Sequence, residues 1–186
     1  MSFTLTTGQA VVLPITVFLW QVIGAGKAFR QVEGERGPRL AGLISLGFIA
    51  LVVNAGIEPV NTRLFAVACA GLTVALALFE WARRTVRGMY FSWVFSTDTP
   101  TFLCHVGPFA YVRNPFYTSY LLTMGSTLVL VPTVFRALVF LGMVIYFVAA
   151  ARHEERKFAR SGLAAEYGRY RERTGRFLPK ISAMRR

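Results

Sequence analysis

The chain has 186 residues, of which 54% are hydrophobic and only 16% charged, with a formal net charge of +12. A soluble domain of this length needs more polar surface, whereas a bilayer accepts apolar side chains on the outside of a bundle, so the composition argues for membrane residence. The basic residues lie between apolar runs and in the tail; that suits an anionic leaflet, lacks the continuous basic face of a nucleic-acid binder, and leads us to expect no nucleic-acid partner.

Five apolar runs follow in chain order, at residues 9–26, 40–57, 64–81, 116–131 and 133–151. At about 1.5 Å of rise per residue each comes close to the hydrocarbon thickness of about 30 Å, and the fourth is the shortest. The expectation is an all-α, polytopic helical membrane protein with five transmembrane helices, folded as one membrane domain over 1–186. Met1 to Gln9 contain no Lys or Arg, so no secretory signal is expected and the first run is retained. Gly24, Gly26, Gly42, Gly47, Gly71, Gly125 and Gly142 fall inside the runs, where small side chains serve close helix packing. Gly24-Ala25-Gly26 is not a nucleotide-binding fingerprint, since the preceding strand and third glycine are missing.

The connections set an orientation. Lys27, Arg30, Arg36 and Arg39 follow the first run, Arg83, Arg84, Arg87 and Arg113 follow the third, and eleven more Lys and Arg follow Ala151, against Arg63 and Arg136 on the other side. The positive-inside rule then predicts the N-terminus outside and the C-terminus in the cytoplasm. Glu58-Pro59 and Pro132 break the chain briefly, so runs two and three, and runs four and five, are expected to pack as antiparallel hairpins. Arg152 to Arg173 alternates charge with Phe158, Leu163, Tyr167 and Tyr170, which predicts a C-terminal cytoplasmic amphipathic helix, broken near Ser161-Gly162.

Few polar groups interrupt the runs. Asn54 is expected to hydrogen-bond between helices, and Glu80 to pair with Arg83 or Arg84 as an interfacial anchor. Cys69 and Cys104 make no disulfide framework, and His105 and His153, with no acidic partner at ligand spacing, make no metal site.

Polar chemistry concentrates between Cys104 and Tyr120, C-H-V-G-P-F-A-Y-V-R-N-P-F-Y-T-S-Y, just before the fourth run. Pro115 suits the first turn of a helix and Asn114 the N-cap. Free N–H groups at that helix start, with the guanidinium fork of Arg113, would form an anion-binding corner; the alternative has Arg113 snorkelling to lipid phosphate. Arg152-His153-Glu154-Glu155-Arg156 lies at the end of the fifth run, on the same face if the hairpin forms. Either glutamate could instead pair along a solvated helix, Glu155 with Arg152 or Arg160.

Gly107-Pro108-Phe109-Ala110-Tyr111-Val112-Arg113-Asn114-Pro115-Phe116-Tyr117 resembles the G-P-Y-x-Y-x-R-H-P-x-Y signature of the isoprenylcysteine carboxyl methyltransferase and phospholipid methyltransferase superfamily. Glu154-Glu155, Tyr167, Tyr170 and Leu178-Pro179 look like its second signature, and the resemblance spans Cys104 to about Pro179. Phe109 replaces the tyrosine, Asn114 replaces the histidine, and the step from the glutamates to the tyrosines is one residue longer, which leaves open whether Glu154 or Glu155 faces the pocket. The resemblance implies a membrane-embedded enzyme using S-adenosylmethionine as methyl donor in a part covering 104–179. Arg113, Glu154 and Glu155 would be its catalytic residues. His105, Gly107, Pro108, Phe109, Tyr111, Asn114, Pro115, Tyr117, Tyr120, Tyr167 and Tyr170 would form the cofactor-binding shell. A lipid-like or small-molecule acceptor would approach through the bilayer: a prenylated cysteine carboxylate, a phospholipid amine or a small thiol. A sterol-reductase-like oxidoreductase and a non-enzymatic membrane scaffold are the competing classes.

Overall fold

The computed structural model describes residues 5–30, 37–53, 56, 58–89, 91–92 and 99–180. Asn54 lies outside the described residues, as do Arg36, the remainder of the second run beyond Val53 apart from Gly56, and the tail from residue 181. The elements are α1 (Thr7–Ala10), α2 (Val12–Ala28), α3 (Gly37–Val52), α4 (Thr62–Thr85), a 3-10 turn (Gly107–Ala110), α5 (Pro115–Leu130), α6 (Val134–Ala159) and α7 (Ala164–Arg173). The one ladder among the described residues is a parallel pairing of Phe29–Arg30 with Phe91–Ser92, two residues long.

Local chemistry sets the helix ends. Thr6 and Gln9 form a reciprocal capping box at α1, and buried Pro14 cannot donate to the Ala10 carbonyl, which accounts for the interruption at Val11. Asn61 Oδ1 accepts from the backbone N–H groups of Arg63 and Leu64 at 3.0 and 3.3 Å to start α4, while Arg83 and Arg84 lie in its last turn, where cations complement the helix dipole. Thr133 Oγ1 accepts from the Arg136 N–H to start α6.

Among the described residues, three helices are long and apolar enough to cross a membrane: Thr7–Gly26, Thr62–Thr85 and Val134–Ala159. The apolar run ends at Ala151, and α6 continues two turns beyond it to Ala159, through the part of the helix expected from Arg152 that precedes the break. The helices α3 and α5 have sixteen residues each, about 24 Å at 1.5 Å per residue. The break after α6 falls at 160–163, next to Ser161-Gly162.

The expected hairpin of runs two and three is corrected by the packing. The helix α3 lies against α6 and α5, and α4 instead packs along α5 and α2. The reason is the surface of α4: Ala68, Ala75 and Ala82 are buried, and at Gly71 a side chain would run into the Ser126 hydroxyl of α5. These small residues let the α4 and α5 backbones approach closely, which a bulkier face would prevent.

The polarity is distributed inside out. Buried within the bundle are Gln21, Ser119, Thr123 and Thr127, with Thr123 donating to Gln21 Oε1 at 3.1 Å and to the Ser119 carbonyl at 3.1 Å. On the outside stand Leu19, Ile23, Leu46, Val67, Val74, Leu138 and Ile145, all exposed. Water rewards the opposite arrangement, whereas lipid tolerates this one. Between the helices an aromatic core of Phe18, Phe48, Phe79, Phe116, Tyr120 and Phe147 fills the bundle, with Phe18 stacked on Phe48 at 4.0 Å.

Candidate functional site

The site lies where the start of α5, the end of α6 and the segment after α7 meet. Gly107 has φ +59, and a side chain there would strike Thr85 at the end of α4, so glycine lets the 3-10 turn seat directly on that helix. Pro108 and Phe109 are buried beneath it, and the Phe109 carbonyl accepts from the Tyr170 hydroxyl at 2.7 Å. Residues 174–180 then cross the start of α5. Val112 bridges Gly175, the Arg113 N–H donates to the Gly175 carbonyl at 2.8 Å, and the Thr118 hydroxyl donates to the Phe177 carbonyl at 3.1 Å. At Gly175 the space for a Cβ is occupied by the Leu178 carbonyl, so only glycine permits this fold-back.

This crossing takes up part of the donors expected to form an anion corner. The backbone N–H and the Nδ2 of Asn114 both donate to the Arg176 carbonyl, each at 3.2 Å, and the Asn114 side chain makes no N-cap bond. A neighbouring strand of carbonyls supplies acceptors that a sequence motif for capping cannot anticipate. Arg113 does not snorkel outward: its side chain is 8% exposed, Nη1 donates to the carbonyls of Arg171 and Thr174, and Nη2 donates to Glu155 Oε1 at 3.0 Å. It thereby satisfies carbonyls at the end of α7, where a cation complements the dipole.

Glu155 is the centre of a charge knot. Arg176 grips both its oxygens, Nε on Oε1 at 2.9 Å and Nη2 on Oε2 at 2.7 Å, and Arg113 adds a third charge-assisted bond. Neither Arg152 nor Arg160, the helical partners considered from sequence, holds it; both are exposed. The apolar run of α6 ends at Ala151, and beyond it burial pushes the Glu155 carboxyl up, but the bonds from Arg176 and Arg113 and their charges more than offset this and hold it below the usual carboxylate range. Tyr167 closes the knot from α7, stacked on Phe158 at 4.8 Å, its hydroxyl pushed up to about 12 by burial and by the Glu155 charge.

Glu154 points elsewhere. One residue along a helix turns the direction by about 100°, and the Glu154 carboxylate lies within electrostatic reach of Tyr117, with its Oε1 buried. Tyr117 and Tyr146 pack together on buried Ala150, and the buried Tyr146 hydroxyl has no hydrogen-bond partner among the described residues. Tyr117 of α5 thus lies close to both Tyr146 and Glu154 of α6, and this corner between the two helices is the niche.

Of the residues singled out from sequence, Arg113, Asn114, Glu155, Tyr167 and Tyr170 converge around the knot, and Glu154 and Tyr117 around the niche. Tyr120 is buried deeper, against Phe147 at 6.0 Å and Phe79 at 6.1 Å. Pro115 and Phe109 are buried core, Tyr111 is half-exposed against Trp81 at 5.9 Å, and His105 is exposed on the preceding loop. Glu80 makes the anticipated pairs with Arg83 at 2.6 Å and Arg84 at 3.7 Å, and also accepts from Trp20 Nε1 at 2.8 Å. Sequence reasoning missed Arg176, Thr174 and Gly175; a cation and a glycine just before Leu178-Pro179 are their only trace.

Among the described residues, fold and site together define a helical protein with three helices of membrane-crossing length and apolarity, one end of which carries a carboxylate held between two guanidinium groups. No protein-family model matches the chain, and no curated protein matches its sequence.

Proposed function

We propose that this chain is a multi-pass membrane protein, crossing the bilayer five times through α2 to α6 with its C-terminus in the cytoplasm, that transfers a methyl group from S-adenosylmethionine to a lipid-like or membrane-partitioned acceptor. The observation that carries the reading is the 3.0 Å contact of Arg113 with Glu155, which joins the two motif segments at one end of the bundle. A scaffold would need neither this meeting nor the niche beside it.

The residues suit such a donor. Its ammonium calls for a carboxylate and its carboxylate for a nitrogen donor; Glu154 Oε1 and the Tyr146 hydroxyl are buried at the niche, and the buried Arg113 Nε–H donates to no carbonyl or carboxylate among the described residues, with Tyr167 beside the guanidinium. Bound there, the sulfonium would supply an activated methyl group. The protein's part is alignment and exclusion of water, which provide most of the barrier reduction in an in-line displacement. Arg113 orients a carboxylate through Nε while its other nitrogens hold the frame. Glu154 holds an ammonium, or takes the proton from an amine acceptor. Tyr117, Tyr146 and Phe147 wall the niche against water, and an acceptor arriving from the bilayer meets it from the α5–α6 side.

Calorimetry on the purified protein tests the reading. S-adenosylmethionine should bind in the micromolar range common to such sites and raise the melting temperature. Absence of both heat and shift would overturn the enzyme reading.

A further inference from the structure

Glu154 can present its carboxylate only if the last turns of α6 hold one rotation, and those turns are fastened by the Phe158–Tyr167 stack and by the groups on Glu155. Arg113 contributes a single bond to Glu155, its other nitrogens being turned to carbonyls or buried. Arg176 contributes two, one to each oxygen, in the fork geometry that fixes a carboxylate plane. The carbonyl of the same residue receives both Asn114 donors at the start of α5. One residue therefore ties three elements: α6 through its side chain, α5 through its carbonyl, and the crossing segment 174–180 to which it belongs.

We propose that Arg176 is a positioning residue of the methyl-donor site: by clamping Glu155 it sets the direction in which Glu154 faces the niche, and it fastens residues 174–180 across the start of α5. This rests on the functional reading above. Because Glu154 and Glu155 are successive residues of one helix, freeing the second lets the end of α6 shift and carries the first out of register with Tyr117 of α5.

The test uses the full chain in lipid nanodiscs, with S-adenosylmethionine itself as the probe. Arg176→Gln is expected to raise the Kd for the donor about tenfold or more, in line with losing charge-assisted bonds that act through a neighbour. Arg176→Lys, which keeps the charge but not the fork, should recover part of that loss, a rescue that general destabilisation would not produce. Amide exchange at Arg113 and Asn114 should quicken in Arg176→Gln, as the crossing segment loosens. Should Arg176→Gln fail to fold, the doubly neutral Glu155→Gln/Arg176→Gln chain, which leaves no orphaned carboxylate, takes its place with the same expected weakening. A folded Arg176→Gln protein that binds the donor as tightly as wild type overturns the proposal and leaves the methyltransferase reading standing. A wild-type protein that binds no donor overturns both.

Discussion

Two arginines are buried at opposite ends of α5, and they are surrounded differently. Arg136, 5% exposed at the start of α6, donates from Nε to the Leu51 carbonyl at 2.7 Å and from Nη2 to the Val53 carbonyl at 2.9 Å. It caps the end of α3 with the aid of Thr133 and, among the described residues, makes no ion pair with a carboxylate. Arg113 caps the end of α7 in the same manner, yet it also holds Glu155, which a second arginine grips, beside Tyr167. The comparison teaches that helix-end carbonyls by themselves give a buried guanidinium several acceptors. The extra carboxylate, cation and tyrosines at the Arg113 end exceed what capping requires, and the proposed donor site uses that surplus.

The comparison can be broken by mutation. Arg113→Ala should have the largest effect, because it strips a donor from a carboxylate only 12% exposed and orphans two carbonyls: a loss of about 3–5 kcal/mol in reversible unfolding, with loss of donor binding. Gly175→Ala comes next. Its Cβ would displace the Leu178 carbonyl and lift the crossing segment, costing about 1–3 kcal/mol by melting and weakening donor affinity alongside. Arg136→Ala should cost about 2 kcal/mol through the unsatisfied Leu51 and Val53 carbonyls, with donor affinity unchanged. An equal fall in affinity there would erase the distinction between the two ends.

Acid sharpens the same contrast with a smaller effect. The folded Glu155 carboxyl sits below its ordinary value of 4.5, so its contribution to stability is present above that value and is lost as pH falls through the lower folded one. Melting temperature should therefore hold from pH 7 to pH 5 and drop at lower pH, and Glu155→Gln should flatten that part of the profile. An unchanged profile in the variant would remove Glu155 from the account.

How far the sequence foretold this depends on the kind of information each feature needs. Helix positions were legible where the signal is local: the apolar runs mark the long helices, and the charge alternation after Arg152 with the break near Ser161-Gly162 anticipates the end of α6 at Ala159, whereas the expected Asn114 cap gave way to a contact with the distant Arg176 carbonyl. Helix partners were not legible for α3: a span apolar on all sides does not say which face meets which neighbour, and the decisive contact of Gly71 with Ser126 joins residues far apart in the chain. Arg113 and Glu155 could be connected through motif order. Arg176 could not, since its pairing depends on the angle at which the chain turns through 160–163 and again after α7. The two glutamates were indistinguishable by motif, and the arginine partners of Glu155 separate their surroundings.

The most direct test of the central claim is a transfer experiment. Wild-type protein in nanodiscs is incubated with methyl-labelled S-adenosylmethionine and a total lipid extract, and the products are separated. The account predicts label in a lipid-soluble product that forms only with folded protein. No label in any product, from protein whose melting profile shows it intact, would contradict it.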